Sequence, residues 1–102
     1  MEEEIIVNIS FSAMEMMEEI HNYKSEYSRK AADKYIDGIL KLIQRLTKHP
    51  ESCAPCRNTK LHNKGYRCCI FIDHLLIYEI EENMLNVLAI IHSKRNPNDI
   101  EF

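Results

Sequence analysis

Three short β-rich runs, residues 66–72, 75–81 and 84–91, follow one another with only two-residue breaks at Asp73-His74 and Glu82-Asn83. Connections that short can join only antiparallel neighbours, because a parallel crossover needs a dozen or more residues. The last third of the chain is therefore expected to be a β-meander. Its final run, residues 85–91, is nearly all apolar and leads directly into His92-Ser93-Lys94-Arg95-Asn96-Pro97. Pro97 cannot donate a ladder hydrogen bond, so strand pairing should stop before it. A rigid strand thus delivers an imidazole, a hydroxyl, an ammonium, a guanidinium and an amide to one sheet edge, where they could meet an anion.

The first half reads differently. Residues 5–11 form an opening strand with Val7, Ile9 and Phe11 on one face. Ser12 and Glu15 have capping-box spacing, which predicts a helix start there. Met14, Met17, Ile20 and Lys24 fall on one stripe, extended by Tyr23 and Tyr27; methionines at this spacing usually serve a core. Ser28 is the expected cap of a second helix, whose apolar positions Ala32, Tyr35, Ile36, Ile39, Leu40, Ile43 and Leu46 repeat every three or four residues. His49-Pro50 ends it. A loop over 49–58 and a short strand over 59–62 complete the reading. The fold class is α+β: an N-terminal strand and a two-helix hairpin packed on a curved antiparallel meander, in one domain spanning 1–102.

With 45% hydrophobic and 28% charged residues, the chain has an ordinary globular balance, which argues against disorder. No apolar run approaches the ~20 residues of a membrane span. The acidic start, Met1-Glu2-Glu3-Glu4, is unlike a signal peptide, so a cytoplasmic location is expected. The net charge of −3 conceals a basic middle: residues 41–67 carry seven bases and one acid. That segment is either a solvated face balancing acidic helices or a contact for an anionic partner.

Cys53, Cys56, Cys68 and Cys69 raise the question of zinc. Adjacent strand residues point to opposite faces, so Cys68 and Cys69 should not converge on one ion. Reduced thiols are expected, with a Cys53–Cys56 bridge as the alternative.

Lys60, Arg67, His92 and Arg95 are the candidate site residues, expected to converge on one edge of the sheet. Arginine can grip phosphate through two parallel hydrogen bonds, and histidine or lysine can move protons near neutral pH. Such a set could cleave RNA without metal; the same charges could equally do no more than protect a sheet edge.

The order of elements, with the segments 60–67, 76–80 and 87–97, resembles the RelE/ParE superfamily of toxins from type II toxin–antitoxin (plasmid-stabilisation) systems. The Gly65-Tyr66-Arg67 strand start and the spacing of His92 and Arg95 after the final strand are the most specific pieces. The resemblance implies a growth-inhibiting toxin neutralised by a cognate antitoxin, as a homodimer or a hetero-oligomer with it. It implies no cofactor, no metal and no membrane. One branch of the superfamily inhibits DNA gyrase; the other cleaves ribosome-bound mRNA. Arg67, Arg95 and Lys60 match basic residues of the nuclease branch. Asn58 stands where that branch has a second lysine, and no tyrosine follows Tyr78, which leaves His92 as the candidate proton donor. These departures favour the gyrase-binding branch, with ribonuclease or an inactive toxin fold as alternatives.

Overall fold

The computed structural model describes residues 4–100; Met1, Glu2 and Glu3 of the acidic start, and Glu101 and Phe102, lie outside them. Strand β1 (Ile6–Ile9) leads into helices α1 (Phe11–Ser25) and α2 (Arg29–Lys48). A loop and the short helix α3 (Thr59–Asn63) precede β2 (Arg67–Phe71), β3 (His74–Glu81) and β4 (Met84–His92). The sheet order is β1-β4-β3-β2. The meander β2-β3-β4 is antiparallel, as its two-residue turns require, whereas β1 joins parallel to β4. The helical hairpin is the long crossover that a parallel neighbour demands.

Helix α1 is capped by Ser10, whose Oγ accepts from Ala13 N at 3.0 Å, so the Ser12–Glu15 box is not the start. Its inward stripe is correspondingly shifted to Ala13, Met17 and Ile20, while Met14, Tyr23 and Tyr27 face solvent. Ser28 caps α2 as expected, accepting from Ala31 N at 3.1 Å. Ile39, Leu42, Ile43 and Leu46 of α2 are buried against the sheet, and Leu40 is exposed. Gly38 lies where α2 meets Phe71. A Cβ there would stand 2.6 Å from the ring, so glycine permits this close approach at a cost in helix propensity.

The expected strand over 59–62 is instead α3. Asn58 Oδ1 accepts from Leu61 N at 3.2 Å at its start. Its end is a Schellman motif: Tyr66 N donates to Leu61 O and Gly65 N to His62 O. Gly65 has φ +78, which only glycine adopts without strain, so the glycine of the Gly-Tyr-Arg segment turns the chain into β2. The sheet is covered on both faces. Ile39, Ile43, Leu46, Leu76, Tyr78, Leu85 and Val87 form the core beneath the helical hairpin. Leu61, Ile77, Ala89, Ile91 and Ile100 form a second core on the opposite face.

A bulge in β4 decides where His92 points. Ile77 pairs with Ala89 but Tyr78 pairs with Val87, so Leu88 is the extra residue. Before it, Leu85 and Val87 join the helical-face core; after it, Ile90 does. Uninterrupted alternation would put His92 opposite Val87, on the far face. The inserted residue reverses the phase and turns His92 toward the helices. The same region finishes the edge of β4 beyond β1: Ser10 N donates to Val87 O, Ser10 Oγ to Leu88 O, and Ile90 N to Met16 Sδ.

Candidate functional site

The four sequence-nominated residues do not converge. Strands β2 and β4 run in the same direction, since both are antiparallel to β3. Arg67 begins β2 and His92 ends β4, so they occupy opposite ends of the sheet. Phe71, not Arg67, aligns with His74 and through it with His92. Four residues of strand, about 13 Å, separate Arg67 from that row. Lys60 is exposed on α3, whose neighbour Leu61 packs on the face opposite the helical hairpin. Only His92 and Arg95 remain together.

Those two line a cleft of about 430 Å³ between α1 and the end of the sheet, with Lys24, Glu19, Asp73 and His74 among its other walls. Tyr35 stands behind His74 and contacts His74 Nδ1 at 2.6 Å and Phe71 O at 3.3 Å. The carbonyl can only accept, so both contacts are satisfied when the phenol donates to Phe71 O and His74 Nδ1–H donates to the phenol. Nε2 of His74 is then the unprotonated nitrogen. At His92 the arrangement is reversed. Lys94 N donates to His92 Nδ1 at 3.2 Å, so the neutral ring carries its proton on Nε2. The two imidazoles lie edge to face with centroids 5.5 Å apart. Lys24 Nζ sits 4.0 Å above the Tyr35 ring, a cation–π contact that brings a positive charge to the cleft.

Burial lowers the His74 pKa below 6.5, and His92 and Lys24 push it the same way against an opposing Asp73. His74 is therefore a neutral base at physiological pH. Burial raises the Tyr35 pKa, keeping the phenol protonated. One ring with a free nitrogen beside another with an N–H places a base next to a hydrogen-bond donor. Sequence reading missed His74 and Tyr35. The signal was the hairpin itself, which sets residue 74 against residue 92.

At the other end, Arg67 is committed to the 49–58 loop. Its Nη1 donates to Cys53 O at 2.6 Å and to Glu51 O at 3.5 Å. Tyr78, paired with Arg67 across the strands, donates its buried hydroxyl to Pro50 O at 2.7 Å. The cysteines are neither free nor joined within the Cys53–Cys56 segment. Cys53 bonds Cys69 and Cys56 bonds Cys68, with Cα separations of 5.5 and 4.9 Å. Cys68 and Cys69 do point to opposite faces, and each meets one cysteine of the loop that wraps the β2 edge. Asn58, besides capping α3, donates to Asn98 Oδ1 at 3.1 Å. Among the described residues no helix is long and apolar enough to cross a membrane.

No curated protein matches the chain in sequence. A solved structure titled "Chromosomal ParDE TA system from P. aeruginosa" is similar in fold, with a TM-score of 0.73 at 12% identity over 87% of this chain and 96% of that one. The family model described as the ParE toxin of the type II toxin–antitoxin system, parDE, matches residues 7–97. That match takes in every strand from Val7 onward, both long helices and the cleft, and so the chain belongs to the ParE toxin family of type II toxin–antitoxin systems.

Proposed function

We propose that this toxin inhibits growth by binding DNA gyrase and is neutralised by a cognate antitoxin, a segment disordered alone that folds along its surface. The observation that carries the reading is the separation of Arg67 from His92 and Arg95. A nuclease centre built from all four nominated residues needs them around one phosphate, and they stand at opposite ends of the sheet. A binding inhibitor has no such requirement. The basic stretch over 41–67 supplies contacts for an acidic antitoxin chain.

A second reading rests on the complementary tautomers of His74 and His92. With Lys24 and Arg95 they offer groups for metal-independent attack of an RNA 2′-hydroxyl on its neighbouring phosphate: His74 Nε2 takes the hydroxyl proton, the Lys24 ammonium protonates the leaving 5′-oxygen, and Arg95 and His92 Nε2–H hydrogen-bond the phosphate. Induction in bacteria separates the two. Gyrase inhibition predicts filamentation and a DNA-damage response with intact mRNA, and loss of supercoiling activity when purified toxin is added to gyrase. Ribonuclease action predicts rapid translation arrest with cleavage at ribosomal A-site codons. Unchanged toxicity in both Arg67→Ala and Arg95→Ala would remove these two residues from either reading.

A further inference from the structure

The 49–58 loop straddles the edge of β2 and is fastened once on each face. On the helical face, Cys53 bonds Cys69, which belongs to the core beneath the hairpin. On the opposite face, Cys56 bonds Cys68, beside Leu61 and Ile77. Between the fastenings the loop behaves as a short added strand. Pro55 pairs with Arg67, Cys68 N donates to Ala54 O at 3.2 Å, and Cys56 N donates to Tyr66 O at 3.0 Å. The loop's own carbonyls at Cys53 and Glu51 receive the Arg67 guanidinium. Apart from the two covalent ties, these residues are held by single hydrogen bonds rather than by packing. Glu51, Ser52, Ala54, Pro55 and Arg57 are all exposed.

We infer that the four cysteines form a thiol–disulfide switch that decides whether Arg67 is available to an anionic partner. With both bridges closed, the loop is held against β2 and the Nη1 group of the guanidinium is turned onto the Cys53 and Glu51 carbonyls. Reduction by a dithiol opens each bridge. The dithiol supplies two electrons and two protons per bridge, leaves as its own cyclic disulfide, and two cysteine thiols remain on the protein. The freed loop then lifts from the β2 edge, and Arg67 exchanges carbonyl partners for solvent or a carboxylate or phosphate. A reducing compartment holds the arginine out and an oxidising one retracts it. The switch stands whatever the target is; only its consequence, tighter binding of an acidic antitoxin chain by the reduced toxin, rests on the reading above.

The full chain tests this directly. Digestion under non-reducing conditions after oxidation with glutathione disulfide should give Cys53–Cys69 and Cys56–Cys68 peptides. Dithiothreitol should then accelerate phenylglyoxal labelling of Arg67 by roughly tenfold relative to Arg95 in the same molecule, the loss expected for a charged hydrogen bond. Amide exchange at Cys56 and Cys68 should quicken with it, while near-ultraviolet circular dichroism keeps its native form. The double variant Cys53→Ser, Cys69→Ser should label Arg67 faster without any reductant. The switch is wrong if other cysteine pairings form, if the Arg67-to-Arg95 labelling ratio is the same before and after reduction, or if reduction unfolds the whole domain. An unchanged ratio with antitoxin affinity that still changes on reduction would refute the switch and spare the antitoxin reading. A raised ratio with unaltered antitoxin affinity would do the reverse.

Discussion

The two ends of the sheet are built by different chemistry. At the Arg67 end, two disulfides, an arginine and a buried phenol fix a loop to the edge of β2. At the His92 end there is no covalent tie. A cleft is held open by Tyr35, His74 and His92 in edge-to-face contact, with one lysine over the first ring. The first end should respond to redox state and the second to protons. A toxin made this way has a fastened region and an adjustable one on the same sheet, and perturbing one should leave the other in place.

The largest expected effect tests the fastened end. The Cys53–Cys69 bridge closes 16 residues of chain, so replacing both cysteines by serine should lower stability by about 3 kcal/mol in urea denaturation. Amide exchange around His74 and His92 should be unaffected below global unfolding. If exchange rises at both ends together, the independence is lost. Next is Tyr35→Phe, which strands His74 Nδ1–H and Phe71 O in partial burial and should cost about 1–2 kcal/mol. Here the Arg67 end should be the silent one.

Smaller effects of opposite sign come from the backbone. Gly65 launches β2 at φ +78, so Gly65→Ala should destabilise by about 1 kcal/mol. Ile72 is an exposed β-branched residue at φ +50 in the turn beside the cleft, and Ile72→Asn should stabilise by about 1 kcal/mol. Thermal midpoints of the two variants check the signs. The last effect is a slope. His74 is held below 6.5 in the folded protein, whereas the unfolded chain takes up its proton near 6.5. The stability this linkage contributes is complete above about pH 6.5 and is lost as the pH falls from there through the depressed folded value. Urea midpoints measured between about pH 7.5 and 5.5 should drop more steeply in the wild type than in His74→Asn.

The meander, the second helix and its Ser28 cap were legible because turn length, period and capping chemistry all act locally. Helix α3 was not, since five residues carry no usable period. Its ends were nonetheless written in the chain, as Asn58 at the start and Gly65 just past the finish. The fault in the expected site was directional. Arg67 starts a strand and His92 finishes one, so strands running the same way separate them. The final orientation of His92 also depends on the extra residue at Leu88, and alternation taken without that bulge assigns the wrong face. The cysteine pairing followed from the opposed faces of Cys68 and Cys69, but only once the loop was known to wrap the β2 edge.

Strand β1 contributes residues 6–9, yet its hydrogen-bonding partner is Met84–Val87 of β4. On a ribosome the first strand is made at the outset and must wait for nearly the whole chain before its place in the sheet exists. Contacts so far apart in sequence slow folding and leave the helical hairpin without its full platform meanwhile. The cleft, whose floor is the end of that same β4, is therefore assembled last. Until translation is almost finished, the nascent chain has neither its complete sheet nor the cleft at the end of it.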